Sequence, residues 1–158
     1  MFKEMKRIKQ KIDVDECKEI LNNSLRGVLS LNGDDGYPYG IPLNHYYSVE
    51  DNRLYFHSGK IGYKIDLMKI NNKCSYCVIN DGEKNNDDWA LIFKSVIVFG
   101  KIHFIDDEEE IYRISRLLSH KFTLDDNYIE EEIIKSGKRT AMFYIDIEYI
   151  SGKKVVEK

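Results

Sequence analysis

Between Met142 and Tyr149 the chain alternates residue by residue, with Phe143, Ile145, Ile147 and Tyr149 on one face and Met142, Tyr144, Asp146 and Glu148 on the other. A period of two belongs to an extended strand with one face turned to a core. Similar short runs recur along the sequence, rich in β-branched and aromatic residues and closed by turn residues. Gly27 to Leu31 reads as a strand, Asn32 to Gly36 as a hairpin turn, and Tyr37 to Tyr47 as a long second strand. Pro38 and Pro42 lie inside that strand. A proline has no N–H for a sheet ladder, so they mark an edge or a bulge. Arg53 to Ser58, Cys74 to Asn80 and Trp89 to Ile105 are the further strands, with Asp81 to Asp88 as a polar loop.

Helices are expected at the margins. Asp13-Val-Asp-Glu16 has the form of a capping box, and Val14, Cys17, Leu21 and Leu25 follow at helical spacing. Ile61, Ile65 and Met68 space a short helix. Asp106 to Glu110 opens another, in which Ile111, Ile114, Leu117 and Leu118 carry the apolar face towards His120. A last helix is expected over Tyr128 to Lys135. Acidic residues in a first turn are explained by the helix dipole, without a metal. Hairpin-linked strands with peripheral helices predict a mainly β protein, an antiparallel β-barrel.

The chain's 158 residues suit one domain spanning 1–158, with a basic arm over residues 1–12 that is expected to fray unless it reaches over a partner or an anionic ligand. With 24 Lys and Arg against 27 Asp and Glu, the net charge of −3 supplies no field for a polyphosphate backbone, so nucleic acid is not an expected partner. The apolar runs are too short to span a bilayer and the first residues carry no signal-type apolar core, so a cytoplasmic protein without membrane attachment is expected. Cys74-Ser-Tyr-Cys77 has a suggestive spacing, but in a strand those two residues face opposite sides, and buried small hydrophobes are the favoured reading; no metal site is assigned.

The stretch Phe56-His57-Ser58-Gly59-Lys60-Ile61-Gly62-Tyr63-Lys64 combines a strand end, two glycines, a hydroxyl and two lysines ahead of a helix. Glycines let backbone N–H groups approach a phosphate, and the helix start and the lysines add positive charge. The bland alternative is a glycine turn with solvated lysines. Neither a dinucleotide fingerprint nor a Walker loop is present, so a phosphate here would need another scaffold.

Four tracts together resemble the flavin-binding split barrels related to pyridoxamine 5′-phosphate oxidase, within them the nitroimidazole-resistance (Nim-like) branch. They are Gly36-Tyr-Pro-Tyr-Gly-Ile-Pro-Leu-Asn44, Leu54 to Leu67, Lys94-Ser-Val-Ile-Val-Phe-Gly100 before an acidic helix, and a closing Ile150-Ser-Gly-Lys153. The resemblance implies a six-stranded antiparallel split barrel that forms a homodimer and holds FMN at the subunit interface. By the same resemblance, Ile41, Pro42, Leu43 and Asn44 would line the flavin ring. Phe56, His57 and Ser58 would lie along the ring and ribityl chain, Gly62, Tyr63 and Lys64 would receive the phosphate, and Ser95 would touch the cofactor. Trp89 would cover the ring from the second subunit.

The activity implied is that of an FMN-dependent oxidoreductase, with NAD(P)H as transient donor and a small flat acceptor such as a nitroaromatic compound or nitroimidazole. His57, then His45, are the residues expected to donate a proton; a structural histidine is the alternative for each. The alternative function is a non-catalytic flavin- or haem-binding protein. Pyridoxamine phosphate oxidation is less expected, because the closing Gly152 to Lys158 carries none of the tryptophan and arginines that those oxidases use. Lys6-Arg7 stands where Nim-like members often have an arginine pair.

Overall fold

The computed structural model describes residues 1–84 and 89–157. The polar loop expected over Asp81 to Asp88 therefore lies partly outside the described residues. In chain order the elements are β1 (Lys11–Ile12), α1 (Val14–Asn23), β2 (Arg26–Asn32), β3 (Pro38–Asn44), β4 (Tyr46–Ser48), β5 (Arg53–Gly59), α2 (Tyr63–Ile70), β6 (Lys73–Ile79), β7 (Glu83–Lys84), β8 (Leu91–Ile105), α3 (Glu108–His120), α4 (Asp126–Ser136) and β9 (Thr140–Val156), with a 3-10 turn at Gly137–Arg139 before β9. Asp13, Asp107 and Asp125 cap α1, α3 and α4 through their carboxylates; the acidic starts of α1 and α3 predict this, whereas α4 begins two residues before the expected Tyr128.

One antiparallel sheet runs in the order β3-β2-β6-β8-β9-β5-β4, with β1 on β9 and β7 on β8. β3 and β4 sit at opposite ends of that path yet are joined through a single residue, His45. The expected strand Tyr37 to Tyr47 is thus one strand broken in the middle. Its first half pairs with β2 and its second with β5, so the bend curls the sheet and brings its two ends together. Counted with β3 and β4 as one bent strand, this is the expected six-stranded barrel. The prolines lie on β3, which pairs only with β2 among the described residues, so their missing N–H groups cost no ladder bond.

The break at His45 has an internal cause. The imidazole is completely buried, with Nδ1 at 2.8 Å from the Tyr76 hydroxyl and Nε2 at 2.7 Å from the Leu21 carbonyl oxygen. Lys121 at the end of α3 donates to the carbonyl oxygens of Ser24 and His45. Backbone groups freed where the strand turns are therefore satisfied by side chains.

The barrel interior is filled from every main strand, with Leu29, Phe56, Tyr76, Val98, Phe143 and Ile145 among its buried members. The alternation on β9 holds only to Ile147. Gly100 pairs with Ile147 and Phe99 with Tyr149, which leaves Glu148 as an extra residue, a β-bulge that inverts the phase. Beyond it Ile150 faces the core, while Tyr149 turns outward and stacks with Phe2 at 5.1 Å between ring centroids. At the bulge the strands approach closely: a Cβ on Gly100 would lie 2.3 Å from the Asp146 carbonyl oxygen.

Two further expectations are corrected. The basic arm is not frayed, because β1 pairs with β9, Ile12 is buried and Phe2 stacks on Phe99 as well as Tyr149. Ile61 precedes α2 and is 93% exposed, so it takes no part in that helix's buried face. All three cysteines are free, and burial pushes the thiols of Cys17 and Cys74 up to about 11 and about 12.

Candidate functional site

The end of β5 and the start of α2 are joined by the glycine-lysine loop, and Gly62 sets the geometry of the joint. Its φ of 140° and ψ of 161° lie where only glycine is at ease. A Cβ there would meet nothing within 4 Å, so the restriction is one of backbone and not of space. No side chain caps α2. The N–H groups of Ile65 and Asp66 bond back to the Gly62 carbonyl, which leaves those of Tyr63 and Lys64 at the positive end of the helix for an external acceptor. The Tyr63 hydroxyl donates to Asp34 at 2.5 Å, tying this turn to the β2–β3 hairpin, and the carboxylate raises the phenol's pKa.

Beside this turn lies a cleft of about 510 Å³, within the usual range for small-molecule sites. It brings together Leu43, His57, Ser58 and Lys64, four of the residues singled out in the sequence. It adds Arg139 and Thr140, which the sequence reading missed. Arg139 is 81 residues from Ser58, and only the pairing of β5 with β9, Ser58 against Ala141, carries it to this wall. Among the described residues neither Lys64 nor Arg139 forms an ion pair. Glu132 also lines the cleft, but Lys135 holds its carboxylate at 3.2 Å. The cleft therefore presents two free cations and several hydroxyls, a setting suited to a phosphate. The His57 ring makes no hydrogen bond within the described residues. The residue is exposed at the mouth of the cleft, and partial desolvation lowers its pKa.

The other sequence candidates lie elsewhere. Phe56 is fully buried and stacks on Phe143 at 5.2 Å, so only its backbone can face a ligand. His45 is buried with both ring nitrogens engaged, and its pKa is lowered to about 4, chiefly by desolvation; it is a structural histidine with no route to a ligand. Strand alternation divides Ile41 and Leu43, which pack on the core, from Pro42 and Asn44, which face outward; Asn44 accepts a bond from Arg26 Nε. Ser95 pairs with Lys153, whereas His57 pairs with Met142, so the two lie at opposite ends of β9, roughly 36 Å apart along the strand path at about 3.3 Å per residue. Trp89, 73% exposed, precedes β8 at the same far end. Neither Ser95 nor Trp89 lines the cleft.

A sequence profile described as pyridoxamine 5′-phosphate oxidase matches residues 13–154, a span covering every element from α1 to the end of the β9 core. The chain belongs to that family. Comparison with proteins of curated function yields no match. Among solved structures, this pyridoxamine 5′-phosphate oxidase family member is similar to a candidate 5-nitroimidazole antibiotic resistance protein from Bacteroides thetaiotaomicron (TM-score 0.78, 21% identity, covering 93% of this chain and 87% of that one). It is also similar to an FAD-binding protein from Mesorhizobium loti (0.65, 27%, covering 92% and 97%) and to an FAD and heme binding protein from Mycobacterium smegmatis (0.73, 15%, covering 95% and 74%). These likenesses share the barrel and its peripheral helices, and no helix among the described residues is long and apolar enough to cross a membrane.

Proposed function

We propose that this protein is a cytoplasmic FMN-dependent oxidoreductase that passes electrons from NAD(P)H to small flat acceptors, nitroaromatic compounds among them. The observation that carries the reading is the joint at Gly62: an uncapped helix start, two cations without an ion pair and a histidine without a hydrogen bond among the described residues, on one cleft. Relatives that bind FAD support a flavin. The residues fit one. Lys64, Arg139 and the N–H groups of Tyr63 and Lys64 would hold its phosphate, while Leu43 offers an apolar wall and His57 a polar edge. Bound flavin supplies the two-electron chemistry. The chain's own part is to bind and orient, to limit water through the walls of α3 and α4, and to hold a proton at a ring nitrogen of His57.

The distance between the two groups of candidate residues supports a homodimer. Val28, Ile97 and Phe99 lie exposed on the outer face of β2 and β8, between the far end and the hairpin. A second copy against this face would bury an apolar patch and bring its own Ser95 and Trp89 towards the first copy's cleft. The second reading, a carrier of flavin or haem, draws on the free ring of His57, which is able to ligate iron.

The test is direct. Purified protein should be yellow or should take up FMN, should bleach anaerobically with NADH or NADPH, and should recover its absorbance on adding a nitroimidazole. Protein that is colourless and refuses FMN would overturn the flavin assignment. Bound FMN that neither donor bleaches would leave the carrier.

A further inference from the structure

A larger groove, of about 870 Å³, lies on the other side of the wall formed by Thr140 and Met142. Its floor is apolar, built from Phe104, Ile105, Ile111, Ile133 and Met142. Its rim is basic. Lys60 comes from the β5–α2 loop, Lys69 from α2 and Lys138 from the 3-10 turn, and none of the three is paired with a carboxylate among the described residues. Asp106 and Glu108 line the lip at the start of α3, so the cations outnumber the anions by one. Ile134 extends the apolar surface outward and is 81% exposed.

A floor of this kind is costly to leave wet, and three lysines from three separate elements on one groove favour a negative charge at its edge. The volume is within the range of sites for small molecules. We propose that this groove is a second ligand site, distinct from the flavin cleft, which takes a small amphiphilic anion: an apolar body laid on the Phe104–Ile111–Met142 floor, with a carboxylate head at Lys60, Lys69 and Lys138. The site does not depend on whether flavin binds next door. It explains why the chain keeps lysines around an apolar hollow and leaves an isoleucine exposed at its mouth.

Dodecanoate is a suitable probe, followed by isothermal titration calorimetry on the full chain with and without FMN. Saturable binding with one site per chain is expected, and dodecanol, which has the same body without the charge, should bind about tenfold more weakly or worse. The double substitution K69Q/K138Q should weaken dodecanoate at least about tenfold and leave far-ultraviolet circular dichroism and FMN uptake unchanged. Ile134→Asp, at an exposed position that folding does not need, should weaken both probes, whereas Ile97→Ser on the outer sheet face should weaken neither. Equal affinity for dodecanol, an unchanged K69Q/K138Q variant, or binding lost through Ile97→Ser would each overturn the assignment. Failure of FMN uptake with dodecanoate binding intact would count against the flavin reading alone.

Discussion

Gly62→Ala isolates the feature on which the proposed phosphate site depends. At φ 140° and ψ 161° an L-residue is strained, at a cost of about 1–3 kcal/mol. Because a Cβ would meet nothing within 4 Å, no clash adds to that figure. For a chain of this size it corresponds to roughly 2–12 °C in Tm, at about 2–4 °C per kcal/mol. If the loop relaxes instead, the stability loss shrinks while the N–H groups of Tyr63 and Lys64 turn away, and FMN affinity falls. Thermal unfolding and FMN titration, run together, therefore capture both routes. Gly59→Ala is the control, since its Cβ would meet only the Ile61 carbonyl oxygen, at 3.9 Å, and Gly59 has no left-handed φ. A Gly62→Ala protein with unchanged Tm and unchanged FMN affinity would refute the argument, because neither the conformation nor the helix start would then matter.

Lys64→Ala and Arg139→Ala should each weaken FMN by about 10–100-fold, the worth of a charge-assisted hydrogen bond of about 1.5–3 kcal/mol, with circular dichroism unchanged; fluorescence titration of FMN checks it. Stability should fall with pH through His45: its pKa drops from 6.5 unfolded to about 4 folded, so the contribution is complete above pH 6.5 and about 3 kcal/mol is lost by pH 4. Urea denaturation across that window should show this slope, and His45→Gln should flatten it. Ile97→Glu should give a monomer by sedimentation velocity and release FMN; a dimer that keeps its cofactor would place the interface elsewhere.

Much of the fold could be read from local pattern. Caps at Asp13 and Asp107, the hairpin at Asn32 to Gly36 and the alternation around Phe143 are near-neighbour signals, and the structure follows them. Local pattern misled where a long-range contact overrode it. His45 breaks a strand because Tyr76 and Leu21 hold its ring from elsewhere in the chain. The bulge at Glu148 exists because Gly100 lets two strands approach.

The glycine-lysine loop announced itself because a helix start and its glycine are consecutive in the chain. Arg139 did not, since nothing within ten residues distinguishes it from a solvated cation, and only the β5–β9 pairing brings it to the same cleft as Lys64. The sequence by itself determined the strands, the caps and the glycine turn before α2, all set by interactions a few residues long. Tertiary structure alone decided which side chains share a cleft, which histidine is buried and which is open, because register, curvature and burial are properties of distant segments brought together.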